Sequence, residues 1–245
     1  MIECILLALV FGSQTNASHA QSPDAATVIQ RVDSAVKARL DSIAGYTVTE
    51  HYAVFRNKDE TNPAAEMTVE TTYTPESGKS YKILSQSGSN FIRSVVFNTL
   101  LDNEKQINLP ANRPRAWITS ANYEMTLKPG TVQLDGRDCF VLTLRPRRKE
   151  TYLVNGSLWV DAKDGSIVQI QGTSAKSPSL WTGPTQMLRQ YANVDGFSQA
   201  TYARAVSNST LLGQTIVAID YQGYRVQLRS TGQQPVAAES SRQRQ

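Results

Sequence analysis

Residues 139–181, CFVLTLRPRRKETYLVNGSLWVDAKDGSIVQIQGTSAKSPSLW, decide the fold. Leu142, Leu144, Leu153, Trp159, Ile167 and Ile170 are apolar, and the residues between them are largely polar or small. Period-2 alternation of this kind predicts strands with one apolar and one wet face. Turns are expected at 146–150 and 162–165, so the strands are successive and antiparallel. The functional question is whether the apolar side closes over a packed core or over a ligand.

Working outward, residues 46–55 (YTVTEHYAVF), 66–74 (EMTVETTYT) and 79–85 (KSYKILS) are rich in Thr, Val, Tyr and Ile and are expected to be strands. A turn at 75–78 joins the last two, and 57–65 is a polar loop. Ahead of them, Ser22-Pro23-Asp24 opens a helix as cap, first-turn proline and acidic residue. Val28, Ile29, Val32, Val36, Leu40 and Ile43 then fall on one stripe, and Gly45 ends the helix. At Ser89 the period changes: Phe91, Ile92, Val95, Val96, Leu100 and Leu101 recur at helical spacing. A proline-bearing loop follows at 106–114, and 117–127 is read as holding a short helix around 120–123. From Thr131 to about Leu228 the chain is strands and turns, punctuated by Gly136, Gly183-Pro184, Asp195-Gly196 and Gly213. The expected architecture is mainly β: a half-open antiparallel β-barrel of about ten or eleven strands closed by two or three α-helices. A sheet that long must curl.

With 245 residues the chain can bury a substantial core, and 25 Lys+Arg against 21 Asp+Glu are scattered rather than striped. No basic stripe with interleaved aromatics points to nucleic acid. Residues 4–11 (CILLALVF) form an apolar run followed by a small-residue motif ending at Ala20. This reads as a signal peptide over 1–20, although Met1-Ile2-Glu3 lacks the usual positive charge; the alternative is a buried N-terminal element. One domain is expected over 21–229, and the polar 230–245 reads as a disordered tail. Removal of Cys4 with the signal leaves Cys139 alone, a small buried hydrophobe without a disulfide partner.

Catalytic signatures are weak. His51 lies in a strand pattern with no nucleophile legible nearby, and no nucleophile elbow, P-loop, cofactor motif or metal-ligand set is present. Residues 161–165 (DAKDG) read as a hairpin turn rather than a calcium loop, and Asp135 and Asp138 flank a second turn. Arg145, Arg147, Arg148 and Lys149 cluster around Pro146, either as a solvated hairpin tip or as a patch for anionic head groups or a membrane partner. The helix from Phe91 admits two readings. Its apolar face is plain core, or Phe91, Val95, Val96 and Leu100 line a cavity with Ile83, Trp117, Leu144 and Trp159. Each methylene buried there contributes about 0.8 kcal/mol, so acyl chains need no polar contact. Trp181 is expected in the core.

The run 134–144 (LDGRDCFVLTL), the basic 145–149, then 156–161 (GSLWVD) and 175–181 (AKSPSLW) resemble the LolA-like family of periplasmic outer-membrane lipoprotein-sorting proteins. The resemblance covers about 28–224 and is strongest over 122–181. It implies a half-open barrel with an apolar cavity for acyl chains of lipoproteins or phospholipids, a monomer in the periplasm, and envelope proteins as donor and acceptor. It also implies a gating arginine on an early strand, for which Arg56 is the candidate although its surroundings match the pattern poorly. The expected function is that of a non-enzymatic lipid or lipoprotein carrier; the alternative is an envelope sensor or interaction domain with a filled core. In the carrier, the 89–101 helix and the 106–114 loop act as a lid.

Overall fold

The computed structural model describes residues 23–57, 59–177, 183–210 and 213–230. The signal segment, Ser22, Trp181 and the tail beyond 230 lie outside the described residues. Helix α1 (Ala25–Ser42) starts on Asp24, whose carboxylate accepts from the Thr27 backbone N–H at 2.7 Å. Asp24 therefore replaces the expected serine as cap. The helix ends three residues before Gly45, because Ile43 already turns into the extended conformation and begins β1 (Ile43–Arg56).

Eleven strands follow: β2 (Ala65–Thr74), β3 (Gly78–Gly88), β4 (Tyr123–Leu127), β5 (Val132–Leu134), β6 (Arg137–Pro146), β7 (Val154–Asp161), β8 (Ile167–Ser174), β9 (Gln186–Val194), β10 (Phe197–Ser209) and β11 (Gly213–Leu228) after β1. They form one sheet in the order β3-β2-β1-β11-β10-β9-β8-β7-β6-β4, with β5 also on β6. All pairings are antiparallel. β3 and β4 stand at the two ends, so the sheet is not closed on itself. The 161–165 segment is the β7–β8 hairpin turn, with Gly165 at φ +74 and the Asp161 carboxylate accepting from Lys163 N.

A composite helix interrupts the strands after β3. α2 (Asn90–Ile92), a π turn (Arg93–Phe97) and α3 (Asn98–Asn108) continue one another without leaving helical geometry. It is longer than the periodicity predicts, so the connecting loop begins only at Leu109. The expected short helix over 117–127 is absent: a 3-10 turn precedes it at Arg113–Ala116, and Tyr123–Leu127 is β4. Strand pairing with β6 outweighs the local helical signal there.

The register carries one face across the whole sheet. Met67, Tyr52, Ile219, Ala203, Arg189, Ile170, Leu158 and Leu142 follow one another as cross-strand partners, and both helices pack on this face. Two cores result. The composite helix buries Ile92, Phe97 and Leu101 against Tyr52, Val54, Met67 and Val69. α1 buries Val28 and Val32 against Phe140, Leu142, Leu144, Leu158 and Val160. Arg31 donates to Ala162 O, Arg39 to Ser198 O and the Gln199 side chain, and Asp33 accepts from Ser120, which clamps α1 to three separate segments.

Beside Leu144 of the second core, β7 and β8 touch backbone to backbone at Gly156 and Gly172. A Cβ on Gly172 would lie 2.3 Å from Asn155 O, and one on Gly156 would lie 2.1 Å from Gln171 O. Neither oxygen can move without parting the strands. Gly172→Ala is expected to destabilise the fold by about 2 kcal/mol, the usual cost of overpacking. Urea unfolding measures this, and an unchanged midpoint would show that the close approach is dispensable.

Candidate functional site

The composite helix lies across the inner face of the β3-β2-β1 end, and its geometry follows from the π turn. Asn98 N–H bonds to Arg93 O, five residues back. That closure returns Phe97 to the side already occupied by Ile92, which an ordinary α turn would not do. The buried face is therefore Ile92, Phe97 and Leu101, with Val96 and Leu100 partly covered. Phe91 and Val95 are turned outward, 58% and 41% exposed. Regular helical spacing cannot reveal this rotation, and Phe97, fully buried edge-on to Tyr52 with ring centroids 6.1 Å apart, was missed for that reason.

The eight residues expected to line one cavity separate into groups. Phe91, Val95 and Val96 do come together, with Val54, Arg56, Ile92 and Thr215, around a cavity of about 10 Å³. Leu100 packs against the same core, and Ile83 sits on the inner face of β3, 50% exposed. Leu144 belongs to the other core, under α1. Trp159 pairs with Val141 on the face opposite Leu144 and Leu158, and Trp117 is half-buried in the loop before β4. Arg56 lines the small cavity beside the outward-turned end of the helix.

Under the other half of the helix lies a feature that the sequence did not disclose. Glu50 of β1, Lys79 of β3, Glu104 of α3 and Arg189 of β9 form a chain of alternating charge. Lys79 Nζ stands 2.8 Å from Glu104 Oε2 and 3.8 Å from Glu50 Oε1, and Arg189 Nη2 stands 3.7 Å from Glu104 Oε1. Tyr52 donates its hydroxyl hydrogen to Glu50 Oε2, and the Asn108 amide donates to Glu104. Glu50 is 1% exposed and Lys79 12%, whereas Arg189 remains 41% exposed. Burial alone would raise the Glu104 pKa; the Lys79 and Arg189 charges and two hydrogen bonds bring it down to about 2. Burial would likewise depress Lys79, but Glu104 and Glu50 hold it well above the usual lysine range.

The chain also reports the shape of the sheet. β3 and β9 are five strand spacings apart, about 24 Å in a flat sheet with side chains standing perpendicular to it. Both reach one carboxylate, so this face is concave and the helix lies within its curve.

The basic tip is partly tied down. Arg148 donates to Arg115 O and Asn122 Oδ1 at 3.0 and 2.8 Å, and Arg147 donates to Ser120 O at 3.0 Å and faces Glu124. Arg145 and Lys149 are exposed, Arg145 on the opposite face of β6 from Leu144. His51 is on the outer face, its ring nitrogens near Thr68 and Glu66. Cys139 is fully buried, and burial pushes its thiol pKa up, away from a nucleophile's. No helix among the described residues is long and apolar enough to cross a membrane.

Because Glu104 has a lower pKa in the fold than its ordinary 4.5, the stabilisation it provides is complete above pH 4.5 and is lost as the pH falls towards about 2. Glu104→Gln is expected to be less stable than the parent by about 3 kcal/mol at neutral pH. The difference should vanish as the pH is lowered through that window. Urea titrations across the acid range test this; a constant difference would place the stabilisation elsewhere.

No protein-family model matches the chain, and no curated protein matches it. Solved structures similar to it include a LolA superfamily protein, NE2245, from Nitrosomonas europaea, at 14% identity over 84% of this chain and 94% of that one, TM-score 0.43. A DUF1329 family protein from Desulfovibrio piger is 16% identical over 84% of this chain and 95% of its own, TM-score 0.41. A domain described as outer membrane lipoprotein-sorting, from Vibrio parahaemolyticus, is 12% identical over 86% and 96%, TM-score 0.44.

Proposed function

We propose that the protein is a non-enzymatic acyl-chain binder, with the composite helix as a lid over the concave face. The observation that carries this reading is the division of the helix itself. One half rests on an apolar core and leaves Phe91 and Val95 exposed at the rim with Ile83; the other is fastened by charge. Lifting it exposes Tyr52, Val54, Met67 and Val69, enough apolar surface to receive hydrocarbon without polar recognition. A π turn in mid-helix is a common place for such a rod to yield. Arg56, at the rim cavity, is placed to meet the lid or the entering chain.

In this role the protein works outside the cytoplasm as a carrier in lipoprotein or lipid sorting. It acts as a monomer, taking cargo from one envelope partner and passing it to another. Arg145 and Lys149 offer the exposed positive charge for docking at an anionic surface. A second reading is favoured by the small size of the cavity at the lid, about 10 Å³, which leaves no room there for a chain while the helix is down. On that reading the protein is an interaction domain with a permanent core.

Val95→Glu separates the two. Val95 is partly exposed, so the variant should fold with an unchanged β-rich circular dichroism spectrum. Val95 lines the rim cavity through which the acyl chain enters, so the variant should weaken binding of a fluorescent fatty acid by about tenfold or more, since a carboxylate is costly to bring against hydrocarbon. Parental affinity in the variant would refute the lid assignment.

A further inference from the structure

Lifting the lid has an electrostatic consequence. With the lid down, Glu50, Lys79, Glu104 and Arg189 carry two formal negative and two formal positive charges. Only Glu104 travels with the helix; the other three are fixed to β1, β3 and β9. Once it departs, Lys79 still has Glu50, whose Oε1 lies 3.8 Å away and accepts no hydrogen bond among the described residues. Arg189 loses the one carboxylate within ion-pair distance of it among the described residues. The open concave face therefore carries an excess positive charge at Arg189. Ile170 and Ala203 flank it as cross-strand neighbours, and Tyr221 lies close by. Arg189 is already 41% exposed with the lid down, and in the open face its guanidinium is free to bind a planar anion through two parallel hydrogen bonds.

We infer that Arg189, supported by Lys79, is the head-group site for an amphiphile bearing a single negative charge, whose carboxylate or phosphate takes the place that the Glu104 carboxylate holds when the lid is down. This rests on the acyl-chain reading and adds the ligand's charge to it. Glu104 is then the internal stand-in for the ligand, and lid and cargo compete for the same cations. The arrangement disfavours cationic amphiphiles and gives neutral ones no more than hydrophobic affinity.

The test compares three probes of matched chain length, palmitate, palmitoyl lysophosphatidylglycerol and hexadecanol, on the whole protein at neutral to mildly alkaline pH, by native mass spectrometry and displacement of a fluorescent fatty acid. At least one of the two anionic probes should bind about tenfold or more tightly than the alcohol, and which one does distinguishes a carboxylate from a phosphodiester site. Arg189→Gln should abolish this preference, bringing the ratio of anionic-probe to hexadecanol affinity to about one whatever the absolute affinities, and Arg189→Lys should retain part of it. Equal binding of all three probes, or a preference indifferent to Arg189→Gln, would overturn the head-group site and leave acyl-chain binding standing. Binding of none of the three would overturn both.

Discussion

One carboxylate, that of Glu104, holds together parts of the chain that are far apart in every other sense. It joins β3, β9 and the composite helix in a single ion-paired cluster. Strands five places apart in the sheet order can share a partner only if the sheet is strongly curled, and the helix can supply that partner only from inside the curve. Hydrophobic packing alone would leave the helix free to slide along an apolar trough. The charges fix its position along the trough, as buried ionic contacts can do where they set register.

Around that constraint the rest of the architecture is complementary. α1 fills the β6-β7-β8 part of the trough and is clamped by hydrogen bonds to three segments. The composite helix fills the β1-β2-β3 part and ends on Gly78, where Asn108 O would lie 2.7 Å from any added Cβ. The two fillings differ in kind. α1 buries valines against a wholly apolar set, whereas the composite helix combines an apolar half with a polar half that a competing anion could satisfy. A structure built to be static would gain from replacing the charge chain by hydrocarbon. Its retention beneath one helix and not the other is the physical basis for treating that helix as the moving part.

The sequence made much of the fold legible. Alternation over 139–174 and the Thr/Val/Tyr-rich stretches at 46–55 and 66–74 locate strands because most have one face more buried than the other, which period 2 registers directly; β6 is the exception, buried on both faces over Cys139–Leu142. Where burial follows another geometry, the pattern misleads. Trp159 falls on the opposite face from Leu158 because the strand's inner positions are Val154, Leu158 and Val160. The π turn displaces the helix's buried face by one residue, so Phe91 and Val95 stand outside and Ile92, Phe97 and Leu101 inside. The charge chain was invisible for a different reason: its four members come from residues 50, 79, 104 and 189, and nothing local distinguishes them from surface charges. Lys79 and Glu50 occupy inward positions next to apolar inward residues, Val48 and Tyr52 on β1 and Tyr81 and Ile83 on β3, the one signal that could have singled them out.

The central claim is that the composite helix leaves the concave face when ligand enters. In a Cys4→Ser background, spin labels at Asn103→Cys on the helix and Asp220→Cys on the outer side of β11, both exposed, would measure this directly, since native Cys139 is buried from the reagent. The account predicts a single short inter-label distance in lipid-free protein and a second, longer one that grows with added palmitate. A distance unchanged at saturating palmitate would contradict it, and the helix would then be a permanent part of the core.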